Sequence, residues 1–147
     1  MYAYQAIQQA LSPLAKTNGW PLEPDVYDGD AVTYITYNEA DNCPTEFGDD
    51  DPLYRTVDLQ IHFFTPLYKA GTRKKTNYIP HREAIREALY AGGFTYPEVA
   101  VRADTDSDPQ ASVWHIVFEC DYVETIELSK CLSNERSKSW LRLVLSM

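Results

Sequence analysis

A chain of 147 residues with an ordinary hydrophobic fraction of 44% is long enough to bury a core of its own, so neither disulfides nor a metal is required for folding. Its 22 acidic against 13 basic side chains give a formal charge of -9 and a pI near 4.7, which argues against a protein that grips nucleic acid by neutralising phosphates. The cysteines Cys43, Cys120 and Cys131 form no CxxC pair and leave an odd count, which fits a reducing compartment better than a secreted disulfide framework.

Residues 1–7 show no basic and apolar leader, and no apolar run reaches the roughly 18 residues of a membrane span. A water-borne protein without a membrane partner is expected. The 11 tyrosines suit half-buried sheets and protein interfaces.

Tyr2 to Leu14 sets Ala3, Ile7, Ala10, Leu11 and Leu14 at three- and four-residue spacing, which predicts an amphipathic helix that Pro13 should distort or end. From Lys16 to Asp30 the chain reads as a turn-rich connection, with Trp20, Leu22 and Val26 folding back on the core. Ala31 to Tyr37 is β-branched and aromatic and predicts a strand. Asn38 to Pro52 follows, with Glu39, Asp41, Glu46, Asp49, Asp50 and Asp51 and no base. We read it as a long acidic loop closing an extended hairpin. It lacks the spacing and closing Glu of an EF-hand, so a contact with another protein is expected there rather than a calcium ion.

Leu53 to Pro66 carries the sharpest period-two pattern: Val57, Leu59, Ile61 and Phe63 on one face, Asp58, Gln60 and His62 on the other. This predicts a half-buried central strand, with Pro66 ending it. Lys69, Arg73, Lys74 and Lys75 form the one dense basic cluster, read as a solvated loop able to touch an acidic partner. Tyr78 to Ala91 predicts a second helix with Ile85, Ala88 and Leu89 inward, ended by Gly92-Gly93. Phe94 to Ala103 is a short strand with Val99 and Val101 on one side, and Asp104, Asp106 and Asp108 belong to a hairpin turn in which Pro109 stands where a calcium loop needs Gly. Ser112 to Val123 predicts a strand with Trp114, Ile116, Phe118, Cys120 and Tyr122 on the core face, Cys120 packing as a small hydrophobe. Ile126 to Met147 is an extension of undetermined structure, in which Trp140 and its apolar neighbours need a partner surface.

For chemistry, His62 and His115 sit on the polar faces of two predicted strands. Were those strands neighbours, the imidazoles could meet and hold a metal with a nearby carboxylate. No HExxH or Cys/His spacing joins them, so we read them as polar-face side chains, with no catalytic, cofactor or metal residue assigned.

The fold class is α+β: a mainly antiparallel sheet of four strands or slightly more with two helices on one face, over residues 1–125 as one domain. Four stretches carry a family resemblance: Tyr34-Ile-Thr-Tyr-Asn-Glu-Ala-Asp-Asn, Asp49-Asp-Asp-Pro, Val57-Asp-Leu-Gln-Ile-His-Phe-Phe, and Ala84-Ile-Arg-Glu-Ala-Leu-Tyr-Ala-Gly-Gly-Phe. Together they resemble the small tail-completion proteins of tailed phages and prophages. The extension after Thr125 departs from that pattern. The resemblance implies a non-enzymatic tail terminator, a ring subunit, hexameric by analogy, at the head-proximal end of the tail. Its partners would be its own copies, the tail tube protein and head-connector or neck proteins, with DNA passing through the lumen. Its place would be the virion, after assembly in the host cytoplasm. The candidate contact residues are Glu39, Asp41, Asp49, Asp50, Asp51, Arg73, Lys74, Lys75 and Trp140. The rival readings are a head-side joining protein, or a small acidic metal-binding module or enzyme built on the acidic loops with His62 and His115.

Overall fold

The computed structural model describes residues 1–48 and 51–125, with backbone alone for 43–48 and 51–53. In chain order it contains α1 (Ala3–Asn18), β1 (Leu22–Pro24), β2 (Tyr34–Gly48), β3 (Asp51–Pro66), α2 (Ile79–Ala91), β4 (Glu98–Asp104), a 3-10 turn (Pro109–Ala111) and β5 (Val113–Thr125). The strands form one five-stranded sheet in the order β1-β2-β3-β5-β4. Its antiparallel pairs are β2/β3, β3/β5 and β4/β5, and β1 pairs with β2 in parallel.

The α+β class and the predominance of antiparallel pairing agree with the sequence, but the sheet is mixed and has a fifth strand. That strand, Leu22–Pro24, lies in the stretch read as a connection. Its Leu22, Glu23 and Pro24 stand opposite Ile35, Thr36 and Tyr37. Pro24 is tolerated because β1 is an edge and needs no second set of ladder donors. Asp25 then leaves the sheet at φ 62, its N–H held by the Tyr37 carbonyl at 2.8 Å.

The core fills the side of the sheet on which both helices lie. Val57, Leu59, Ile61 and Phe63 of β3 pack with Ile35 and Tyr37 of β2, Ile116, Phe118 and Cys120 of β5, Ile7 and Leu11 of α1, and Ile85 and Leu89 of α2. Each large apolar side chain buried there contributes about 1.5–3 kcal/mol. The predicted core face of β5 holds at its centre, while Trp114 and Tyr122 at its ends are only partly buried. Trp20 and Leu22 pack against the core as expected, but Val26 remains 67% exposed. Val101 lies outside the helical cover on the edge strand β4, 37% exposed, whereas Val99 packs against the core.

Two further expectations are corrected. Pro13 does not end α1, which runs on to Asn18. Pro13 is exposed, so the acceptor it leaves unpaired faces water, while continuing the helix buries Ala15. Gly19, at φ 70, then caps the end with its N–H directed at Ala15 and Lys16. The acidic stretch, in turn, is mostly ladder: β2 continues through it to Gly48 and β3 begins at Asp51. β3 is a ready template there, and beyond Tyr37 the other edge of β2 has no β1 partner. Glu39 and Asp41 are exposed there, and a strand with one unpaired edge tolerates a proline such as Pro44. Register shifts fall between Glu39 and Asp41 and on either side of Glu46, as bulges that increase local twist.

At this same end of the sheet, the carboxylate of Glu124, opposite Arg55 and 4% exposed, accepts the Ala3 N–H at 2.8 Å. This satisfies one of the orphan donors at the start of α1 and places a negative charge at the positive end of its dipole. Between the helices, a Cβ on Gly92 would come within 2.7 Å of the Ala10 Cβ.

Leu59→Ala or Ile61→Ala is expected to cost about 2–5 kcal/mol in urea-induced unfolding; a loss below about 0.5 kcal/mol at both would mean the face assignment is wrong. Gly92→Ala should cost about 1–3 kcal/mol through overpacking, and Ala10→Gly in the same chain should recover part of it.

Candidate functional site

With α1 and α2 on one side, the other face of the sheet carries no helix among the described residues. Its side chains follow from the strand registers. One cross-strand row runs Tyr34, Phe64, His115, Arg102 and the next Thr36, His62, Val117, Ala100. Nearer the acidic hairpin come Asn38, Gln60, Glu119 and Glu98, then Asp41, Asp58 and Asp121. The face thus changes from aromatic and imidazole to carboxylate along the strand direction.

At the aromatic end the rings stack in sequence. Tyr27 lies on Tyr34 with centroids 4.7 Å apart, Tyr34 on Phe64 at 4.8 Å, and Phe64 on His115 at 4.4 Å. Tyr27 comes from the connection before β2, and its hydroxyl accepts the Ala31 N–H at 2.9 Å.

His62 and His115 meet. His62 Nδ1 lies 2.8 Å from His115 Nε2, His62 Nε2 lies 3.1 Å from Asn38 Oδ1, and Arg102 Nη2 lies 3.0 Å from His115 Nδ1. These contacts have one consistent direction. Arg102 has only protons to give, so His115 Nδ1 accepts and its Nε2–H donates to His62 Nδ1; His62 Nε2–H then donates to the Asn38 oxygen. Both imidazoles are therefore neutral. A proton added to either would set two donors against each other. Burial holds His62 below the ordinary histidine range, and a proton on it would also be opposed electrostatically by His115 and Arg102. Burial and then Arg102 do the same for His115, against the opposing pull of Asp104, whose Oδ2 is 3.6 Å from His115 Nδ1. The two rings are saturated with hydrogen-bond partners rather than open for a metal. No group of three or more potential ligands among the described residues is placed to hold one.

The carboxylate end forms a shallow cleft of about 480 Å³, lined among others by Asp58, Gln60, Tyr96, Glu98, Glu119 and Asp121. Its polar groups are nearly all acceptors. Asp121 is pushed up to about 6, first by a hydrogen bond with Asp58, then by burial and by the Asp58 and Glu98 charges. Gln60 donates to Glu119 at 3.4 Å. Beneath them Cys120 is 5% exposed and its thiol is pushed up to about 12 by burial and then Asp121. It packs as the small hydrophobe expected, not as a nucleophile.

Of the contact residues named from sequence, Glu39 and Asp41 stand exposed in β2, opposite Leu59 and Asp58, and Asp51 opens β3 opposite Gly48. Asp49, Asp50 and Trp140 lie outside the described residues, as does the whole extension 126–147. Arg73, Lys74 and Lys75 are exposed on the loop after β3. Asn38 and Arg102, which complete the histidine row, and the Asp58, Glu98, Glu119 and Asp121 group were not singled out from sequence. The period-two faces contained them, but only the strand order puts them side by side.

The two ends have opposite linkage to pH. The histidines, lowered from 6.5, contribute stability that is present above 6.5 and lost as pH falls, because the unfolded chain takes up protons first. Asp121, raised from 3.8 to about 6, contributes stability present below 3.8 and lost as pH rises through about 6. Asp121→Asn should therefore be more stable than the parent above pH 6, by about 1 kcal/mol or less after solvent screening, with no advantage at pH 3.5. His62→Gln with His115→Gln should flatten the loss on acidification below 6.5. Urea midpoints across pH measure both, and the reverse order would contradict the neutral relay.

No protein-family model and no curated protein matches the chain. Among solved structures, it is similar to a chain of the virion of a native gene transfer agent particle, at 16% identity over 83% of this chain and 95% of that one, with a TM-score of 0.45.

Proposed function

We propose that the chain is a structural subunit of a phage-type particle, a tail-completion protein that assembles as a ring at the head-proximal end of the tail. In that position it ends tube growth and offers a face to the head or neck. The observation that supports this reading is a sheet with one face dressed by helices, one face without a helix among the described residues, and two unlike edges. β1 is a three-residue parallel edge, and β4 is a seven-residue antiparallel one. A closed ring needs two different complementary patches on each subunit, and such a sheet supplies them. The face opposite the helices adds the aromatic row, rich in the ring side chains that interfaces favour.

The resemblance of the Tyr34–Asn42, Val57–Phe64 and Ala84–Phe94 stretches to tail-completion proteins supports the same reading. So does the charge of -9, since a net negative subunit repels DNA passing through a lumen instead of trapping it. The ring is read as hexameric by analogy with that family, without catalytic activity, in contact with the tail tube protein and the connector or neck.

The test adds purified protein to polymerising tail tubes of the cognate particle and measures tube length by electron microscopy. Tubes should stop at their normal length with added density at one end. Continued elongation without a cap would reject the tail-side role and favour a joining protein on the head side.

A further inference from the structure

β4 is an open edge of the sheet, and it lacks most of the devices that keep an edge single. β1, at the opposite edge, is three residues long and ends in Pro24. β4 has seven residues, none of them proline, lysine or glycine, and it pairs with β5 from Glu98 to Asp104 without a register shift. Short length, proline, lysine and bulges are what usually stop an edge from accepting another strand. Among the described residues, no strand pairs with the outer side of β4.

The order of side chains along β4 is self-complementary. Glu98-Val99-Ala100-Val101-Arg102 sets two valines symmetrically about Ala100, with opposite charges at equal distances beyond them. Val99 and Val101 stand opposite Phe118 and Ile116, on the helical side of the sheet, whereas Glu98, Ala100 and Arg102 stand opposite Glu119, Val117 and His115 on the other. Val101 is 37% exposed. Glu98 is exposed, has another acid as its cross-strand neighbour and makes no ion pair among the described residues. The Arg102 side chain is 69% exposed, with Nε 3.5 Å from Asp104 and Nη2 3.0 Å from His115, and a guanidinium has five N–H donors to share.

Two copies of one strand that pair antiparallel are related by a two-fold axis. Outward backbone groups alternate along an edge and opposite residues must match, so that axis falls at a residue rather than between two. Placed at Ala100, it sets each Glu98 opposite the Arg102 of the other copy and each Val99 opposite a Val101. On the helical side the valines of both copies meet, and on the other side an ion pair flanks the two alanines at either end. Placed at Val101, the axis sets Glu98 against Asp104 and leaves Arg102 opposite Ala100. Placed at Val99, it leaves Arg102 opposite Tyr96 and Val101 opposite Pro97. The Ala100 register alone of these pairs both charges and covers Val101.

We infer that β4 is the docking site for β4 of a second copy of this chain, in the two-fold register centred on Ala100, so that the unassembled protein is a dimer whose two sheets join into one. A two-fold contact closes on itself, so it makes a pair and not a ring. It occupies, before assembly, the edge that the ring reading leaves for a neighbour.

The full chain is followed by sedimentation velocity at low and high salt, with thermal melts to establish that each variant folds. The parent should be a dimer, and added salt should weaken it without abolishing it, because the backbone ladder and the valines remain. Val101→Lys, which puts a charge among the valines, should lose at least about tenfold in affinity. Glu98→Arg and Arg102→Glu should each lose about tenfold, since each sets like charges opposite one another at both ends of the contact. Glu98→Arg leaves the Arg102 contact with His115 in place, so its effect is separate from any change in the histidine row. The double variant Glu98→Arg with Arg102→Glu should regain the dimer, and an equal mixture of the two single variants should form a mixed dimer, because both restore opposite charges in this register. A parent dimer that survives Val101→Lys, or charge variants that fail to rescue each other, would overturn the contact. So would a parent that stays monomeric up to its solubility limit, in which protection of the β4 amides from hydrogen exchange would assign the edge to another segment of the same chain. None of these results touches the ring reading, which tube length tests. Tubes that elongate uncapped while the charge exchange behaves as expected would reject the ring and keep the pair.

Discussion

β3 is hydrogen-bonded along both edges, to β2 from Gly48 back to Tyr34 and to β5 from Val113 to Thr125, and the remaining architecture is arranged around that double pairing. A strand paired on both sides cannot slip by one residue without turning Val57, Leu59, Ile61 and Phe63 out of the core, so its alternation sets the faces of its neighbours as well. Ile35 and Tyr37 follow through one ladder, and Ile116, Phe118 and Cys120 through the other. The helices cover whichever side this choice makes apolar. The opposite side receives what is left of each strand, and in this chain the remainder is a graded row of rings, imidazoles and carboxylates.

The gradient on that face has a physical logic. Aromatic rings and neutral imidazoles can be half-buried against one another at little cost, provided each polar atom finds a partner, and the Arg102 to Asn38 relay provides those partners. Carboxylates cannot be packed in the same way. At the acidic end Asp58 and Asp121 face each other across the ladder, and the hydrogen bond between them, then burial and the neighbouring charges, raise Asp121 to about 6. A cationic group approaching that end would relieve the repulsion between these carboxylates.

Much of this was legible in the residues. The three- and four-residue spacing of Ile7, Leu11, Ile85 and Leu89 marked both helices, and the alternation from Val57 to Phe63 and from Trp114 to Tyr122 marked the two longest core contributors with their inward faces. What was not legible depended on nonlocal pairing. Leu22–Pro24 has the composition of a turn and becomes a strand because Ile35 to Tyr37 offers it an edge. Asn38 to Gly48 has the composition of a solvated loop and becomes a strand because β3 lies alongside. His62 and His115 were on polar faces from the outset, but their contact required β3 and β5 to be neighbours. Nothing in a single sequence states strand order, and Asn38 and Arg102, which give the pair its direction, lie on strands that the order alone brings in.

The Glu124 carboxylate on the Ala3 N–H spans 121 residues of sequence, and it has a consequence for synthesis. As the chain leaves the ribosome, α1, β2 and β3 emerge well before β5, so the central strand spends that interval with one edge unpaired and an apolar face half covered. Contacts of such sequence separation slow folding and leave nascent strands open to pairing with other chains. Where many copies are made together, the exposed β3 edge of one nascent chain is a template for the β5 of another, and exchange of that strand between copies is the characteristic error this topology invites. The closing of β5 onto both β3 and the start of α1 is the event that removes the hazard.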